Sequence, residues 1–176
     1  MKLGTVLRRF LTPGFVVTLH AFLKYRCRVS PKAEVEITRH LAIGEKSVVG
    51  SFTKIKATDG PLRIGRHVEI ANGCVITSHR AGVEIGDDCL IGPNVSIIGN
   101  NYRYDDLNTP IRLQEKVSDK GIRIGANCWI GAGCVILDGA DIGSGTILTP
   151  NSVVSGRLGE NSIAQGNPAK VIFTRR

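Results

Sequence analysis

The chain has 176 residues, 42% of them hydrophobic and 5% aromatic, which is enough for one domain with its own core. The formal net charge of +8 is concentrated at one end: residues 1–28 carry six basic side chains and no acid, whereas the remainder sets 17 basic against 15 acidic residues. No basic stripe interleaved with aromatics runs along the body, which argues against a nucleic-acid partner, and no stretch reaches the roughly 20 apolar residues needed to span a bilayer.

Residues 1–28 form the first unit, an amphipathic helical segment in which Lys2, Arg8, Arg9, Lys24, Arg26 and Arg28 alternate with Leu3, Val6, Leu7, Phe10 and Leu11 and then with the apolar run 14–23. Thr12 suits an N-cap and Pro13 the first helical turn, and the three later cations fall where a helix C-terminus favours positive charge. Two roles fit the segment. The favoured one is a cap over the open end of a repeat structure, and the other is peripheral contact with a membrane surface.

The second unit, residues 29–165, repeats in sixes. Aliphatic residues recur at Ile37, Ile43, Val49 and Ile55, at Ile64, Ile70 and Ile76, at Ile85, Ile91 and Ile97, and from Ile124 through Ile130, Ile136, Ile142 and Leu148 to Val154. A helix would repeat near 3.6 and a half-buried strand at 2, so a period of six, with glycine following many of the aliphatics, predicts an all-β solenoid. Three hexads make one triangular coil, and about five or more coils stack with inward aliphatics in columns. Two positions before each new hexad the residue is small, as at Val68, Cys74, Cys89, Val95, Cys128, Cys134, Ala140, Thr146 and Ser152. Four of the five cysteines occupy these corner positions and none forms a C-x-x-C pair, so they read as buried packing thiols in a reducing compartment. With no cleavable signal segment, the expected location is the cytoplasm, at the inner face of the membrane if residues 1–28 touch lipid.

The hexads lose phase after Ile55, Ile76 and Ile97, with gaps of nine, nine and twenty-seven residues. Each gap follows a third-face strand, so every insertion leaves from one corner, and the last is an extruded loop over 98–121. Loops gathered on one edge of a solenoid build its working surface. His79 and Asn100 each lie three residues after an inward isoleucine. They should therefore stack at this corner, with Thr58 below and Gly139 above. The loop string Asn100-Asn101-Tyr102-Arg103-Tyr104-Asp105-Asp106 suits hydrogen bonding and stacking against a sugar. His20 belongs to the N-terminal segment, and the face count puts His40 and His67 at corners away from the interrupted edge. The third unit, residues 166–176, reads as a basic C-terminal tail.

Three stretches, Ile85-Gly86-Asp87-Asp88-Cys89-Leu90-Ile91-Gly92-Pro93-Asn94-Val95, Ile124-Gly125-Ala126-Asn127-Cys128-Trp129-Ile130-Gly131-Ala132-Gly133 and Gly166-Asn167-Pro168-Ala169-Lys170-Val171-Ile172, resemble the hexapeptide-repeat acyltransferases. The similarity is greatest to their maltose, galactoside and polysaccharide O-acetyltransferase branch and covers about residues 35–172. It implies a left-handed parallel β-helix, a homotrimer, and acetyl-CoA as acyl donor held between subunits without any metal. By position, it places cofactor contacts at Trp129, Ala132, Pro150, Ser155, Gly156, Lys170 and Arg175. Asn72 matches an acceptor-binding asparagine, and His79 stands where an acceptor-contacting aspartate would be.

One departure from the family pattern bears on mechanism. Relatives carry a catalytic histidine at the start of the extruded loop, where this chain has Asn100 and Asn101. Acyl transfer to a hydroxyl needs a group to accept its proton, which an amide cannot do. His79 is the histidine that the face count places at the right corner, so it is expected to serve as the base. Asn100, Asn101, Tyr102, Arg103 and Asp105 are then expected to bind the acceptor. The implied activity is O-acetylation of a sugar of a surface or exported polysaccharide or its precursor. The alternatives are an N-acyltransferase of a nucleotide-linked amino sugar and a catalytically weak trimeric scaffold.

Overall fold

The computed structural model describes residues 13–57, 59–117 and 120–176. Thr12, the upstream part of the first unit and Thr58 lie outside the described residues. Helix α1 spans Gly14–Tyr25, and Pro13 occupies its N-cap in an extended conformation without a side-chain hydrogen bond, so the helix begins one residue after the proline expected to open it. Val17 and Ala21 face inward. At Gly14 any side chain would meet the Pro31 carbonyl oxygen at 1.9 Å, so only glycine allows the helix to start this close to the first circuit. Thr18 Oγ1 donates to the Val29 carbonyl at 2.9 Å and the Tyr25 hydroxyl to the Leu41 carbonyl at 3.0 Å, which ties α1 to the end of the stack.

Beyond α1 the chain visits three sheets in rotation, and within each sheet the strands of successive circuits pair in parallel, in register. The first sheet runs Arg28–Val29, Val48–Val49, Glu69–Ile70, Leu90–Ile91, Trp129–Ile130, Ile147–Leu148 and Ser162–Gln165. The second runs Glu34–Val35, Lys54–Lys56, Val75–Thr77, Ser96–Ile98, Val135–Leu137 and Val153–Val154. The third runs Leu41–Ile43, Leu62–Ile64, Val83–Ile85, Ile122–Ile124, Asp141–Ile142 and Arg157–Leu158. Six circuits therefore stack, with their inward isoleucines, leucines and valines buried in one continuous core. Because each strand is only two to five residues long, it gains stability from the circuits above and below rather than from its own length.

The small corner residues have a second role besides fitting. Ser47, Thr53, Cys74, Cys89, Cys128 and Thr146 are almost fully buried, and each donates from its hydroxyl or thiol to the carbonyl of a glycine or alanine one circuit on, at 2.8 to 3.2 Å. All five cysteines are buried free thiols.

Two boundaries differ from the sequence reading. The second-sheet strand of the first circuit is Glu34–Val35, with Val35 buried, whereas Ile37 is half-buried outside any strand. Val29 to Val35 is a hexad, and the step from Val35 to Ile43 is eight residues, so a further insertion leaves from the same corner. The C-terminal segment is also no free tail. Lys170–Thr174 forms a strand antiparallel to Ser162–Gln165, closing the edge of the first sheet with backbone hydrogen bonds.

Candidate active site

All the longer insertions leave the corner between the second and third sheets, as the spacing predicts. In-register pairing of Ile76 with Ile97 and of Thr77 with Ile98 carries His79 and Asn100 to this one edge. The Gly99 amide donates to the Thr77 carbonyl at 2.9 Å, and a side chain at Gly99 would approach both that oxygen and the His79 backbone nitrogen. From below, a side chain at Gly60 would meet the His79 carbonyl oxygen at 1.9 Å. Glycine on both sides lets the circuits close over the histidine, which is only 7% exposed. A tight turn follows, with the Gly82 amide donating to the His79 carbonyl at 2.8 Å and Gly82 in the left-handed region at φ 89°.

His79 Nδ1 and Thr77 Oγ1 are both buried and have no hydrogen-bond partner among the described residues. Buried polar atoms are nearly always paired, so these two stand out at the corner from which the loop leaves. The extruded loop stands beside them. Its base is the antiparallel ribbon of Asn101–Tyr102 and Lys116–Val117, and Arg80, next to His79, pairs with Glu115 of the returning leg at 3.4 Å. Within the loop, Arg103 pairs with Asp105 at 3.3 Å and its amide donates to the Glu115 carbonyl at 2.9 Å. The Asp105 backbone N–H, and after it the Arg103 guanidinium, hold the Asp105 carboxyl below its ordinary range. Lys116 lies over the Tyr102 ring at 5.6 Å. The loop thus excludes Ile98, which belongs to a strand, and begins at Gly99.

A groove of about 500 Å³ opens on the third sheet beside this corner, lined among others by Arg63, Gly82, Glu84, Lys120, Gly121 and Arg123. Spacing did not point to Thr77, the Arg80–Glu115 tether or Lys120. Only the tether had a cue in the sequence, namely opposite charges in two successive insertions that leave the same corner.

The remaining expected residues separate by edge. Ser155 and Gly156 follow the second-sheet strand Val153–Val154 and share the His79 corner. Asn72, Ala132 and Pro150 each lie two residues after a first-sheet core residue and form a column along the edge between the first and second sheets. There the Asn72 carboxamide oxygen accepts the Ser51 amide at 2.8 Å, so Asn72 holds the corner of the neighbouring circuit, and it stands apart from His79. Trp129 projects from the first sheet, 54% exposed, between its register neighbours Leu90 and Ile147. Lys170 is exposed on the C-terminal strand, whereas the Arg175 guanidinium donates to the Gly145 carbonyl at 2.8 Å and so braces that strand. His67 pairs with Asp88 at 3.1 Å, away from the loop. His40 does not lie away from the interrupted edge. It falls between Glu34–Val35 and Leu41–Ile43, and so at the His79 corner two circuits lower, because the in-phase Ile37 concealed an insertion there.

Two family models match parts of this body, one described as bacterial transferase hexapeptide (six repeats) over residues 121–156 and one as hexapeptide repeat of succinyl-transferase over residues 82–100. A probable acetyltransferase of Mycobacterium tuberculosis is 36% identical over 144 residues, 82% of this chain and 45% of that protein. A putative lipopolysaccharide biosynthesis O-acetyl transferase of Escherichia coli is 32% identical over 62% of this chain and 48% of its own length. Hexapeptide repeats thus occupy residues 82–100 and 121–156, and over its larger part the chain is similar to hexapeptide-repeat acetyltransferases. It spans about half the length of the curated relatives it matches. Among solved structures, an N-acyltransferase from Bacillus cereus in complex with dTDP and coenzyme A has a TM-score of 0.75 at 19% identity, covering 89% of this chain and 87% of that one. A hexapeptide-repeat acetyltransferase from Vibrio cholerae complexed with acetyl coenzyme A has a TM-score of 0.66 at 24% identity, covering 94% and 79%. These two likenesses concern the fold.

Proposed function

We propose that the chain is an O-acetyltransferase that moves an acetyl group from acetyl-CoA to a sugar hydroxyl of a surface or exported polysaccharide or its precursor. The observation that carries this reading is His79, buried between two glycine-lined circuits with Nδ1 unpartnered, at the corner where the loop of Asn101, Tyr102, Arg103 and Asp105 is tethered. Imidazole is the side chain suited to take a proton near neutral pH, and His79 accepts that of the acceptor hydroxyl as its oxygen attacks the thioester carbonyl. Asn100 supplies an amide N–H toward the negative charge that develops. The proton held on His79 then returns to the departing thiolate.

In this reading the three sheets form a left-handed triangular prism and three copies assemble. The second sheet's outward face, half-buried and apolar at Val75, Ile98, Val135, Leu137 and Val153, lies between the His79 edge and the Asn72 edge. Packing of copies across it would bring the first edge of one chain to the second edge of the next. The donor would then lie along Ala132, Pro150, Ser155 and Gly156, with Trp129 and Lys170 flanking it. Acetyl-CoA fits this surface because its small corner residues leave room for an extended ligand and Lys170 is exposed where it could meet a phosphate. Arg175 would have to release Gly145 to take part. The buried free thiols fit a reducing compartment.

The test is acetyl transfer by the full chain across a panel of sugars, amino sugars and oligosaccharides, with mass analysis of the product, repeated for His79→Ala. The variant should lose about 10²–10⁴-fold in kcat while its KM for acetyl-CoA stays unchanged. Full turnover by a folded His79→Ala protein would refute the assignment.

A further inference from the structure

Helix α1 has no water-facing side. Its inner residues Val17 and Ala21 are buried against the stack, yet the rest of its surface presents Phe15, Val16, Leu19, Phe22 and Leu23, between 40% and 71% exposed. The polar residues of α1 do not relieve this. Thr18 is bonded to the Gly14 and Val29 carbonyls, His20 Nε2 is buried without a partner among the described residues, and Lys24 and Tyr25 stand at the last turn. A helix on the surface of a soluble domain shows water a polar stripe, whereas one that is apolar all round is covered on every side. Capping the stack therefore accounts for only half of this helix.

The surroundings select what covers the other half. Lys24, Arg26, Arg28 and Lys32 are exposed at the same end, and the sequence contains no acid before Glu34, which itself lies 3.9 Å from Lys54. Exposed Phe52 joins this end, with Lys32 placed 5.7 Å from its ring centroid. Bulky exposed apolar side chains beside a cluster of exposed cations match an interface that is apolar inside and negative at its surface. We infer that the outer face of α1 docks on an anionic phospholipid bilayer, with Phe15, Leu19, Phe22 and Leu23 among the acyl-chain boundary and Lys24, Arg26, Arg28 and Lys32 against the headgroups. The helix is 12 residues long, about 18 Å, so it lies in the interface and does not cross it. The two roles set against each other for residues 1–28 are then the two sides of one helix.

The experiment is co-sedimentation of the full chain with phosphatidylcholine vesicles and with vesicles of phosphatidylcholine and phosphatidylglycerol at about a 2:1 ratio. The protein should pellet with the anionic vesicles, remain in the supernatant with the neutral ones, and be released by high salt. Leu19→Glu with Phe22→Glu should weaken binding at least about tenfold, and Lys24→Glu with Arg28→Glu similarly, with the fold retained in circular dichroism because all four side chains are solvent-exposed. Leu23→Glu alone provides the same readout should the double variant fail to fold. Equal pelleting with both vesicles, or undiminished binding by the apolar-face variants, overturns the inference. It is equally overturned if those variants leave vesicle binding intact and instead change the size of the assembly in sedimentation, since the face would then cover protein.

Discussion

The two glycines that enclose His79 permit a graded test of how tightly this corner is built. Replacing Gly60 with alanine would place a methyl carbon 1.9 Å from the His79 carbonyl oxygen and 2.3 Å from its carbonyl carbon, both backbone atoms. Ordinary contact needs more than 3 Å, so one circuit must move by over 1 Å against the Gly82 amide that holds the same oxygen at 2.8 Å. At Gly99 the corresponding methyl would stand 3.0 Å from the Thr77 oxygen and 3.1 Å from Val83 Cγ2, which a shift of a few tenths of an ångström accommodates. Gly60→Ala should therefore cost about 1–3 kcal/mol or more, as overpacking does, and Gly99→Ala under about 1 kcal/mol. Thermal unfolding reads the difference at roughly 2–4 °C per kcal/mol for a domain of this size. Acetyl transfer measured well below both melting temperatures should fall much further for Gly60→Ala, because the displaced group is the backbone of the proposed base, His79. Equal costs at the two positions, or a Gly60→Ala protein with parental stability and turnover, would refute the enclosed-histidine geometry.

Other outcomes follow from the same contacts. Arg80→Ala removes the exposed tether to Glu115, so it should leave stability within about 0.5 kcal/mol of the parent and raise the acceptor KM, as initial-rate kinetics would show. Burial pushes the Cys27, Cys74 and Cys134 thiols up, and the hydrogen bond shared with the Cys128 thiol, together with burial, pushes Cys89 up. A thiol raised in the folded state contributes stability that is full below the unfolded value of about 8.5 and is lost as pH rises beyond it. Urea midpoints should accordingly fall from pH 8 to pH 10, less steeply in Cys74→Val with Cys134→Val, and thiol reagents should label the folded chain only slowly.

The period of six was legible because it comes from geometry that every circuit repeats. An inward aliphatic, a small corner residue with room for little else, and a left-handed turn position three residues after the aliphatic recur at Ile85, Cys89 and Asp88, and again at Ile124, Cys128 and Asn127. Counting those units located the interrupted corner and put His79 and Asn100 on it, which needs only that strands stack in register. The same counting failed in the first circuit. Val29 to Val35 and Ile37 to Ile43 are both six apart, so period alone cannot choose between Val35 and Ile37, and it misplaced His40 with them.

What the sequence determined, then, is whatever local repetition enforces: three sheets, a continuous aliphatic core and one edge from which the insertions leave. What the tertiary structure decided depends on contacts between segments far apart in the chain. These include the Arg80–Glu115 pair between two insertions, the Gly60 and Gly99 backbones that bury His79, the Arg175–Gly145 hydrogen bond that braces the C-terminal strand, and the inner face that α1 finds on the first circuit. Such contacts leave no period, because each is made once, and its energy depends on which groups the finished stack brings within reach.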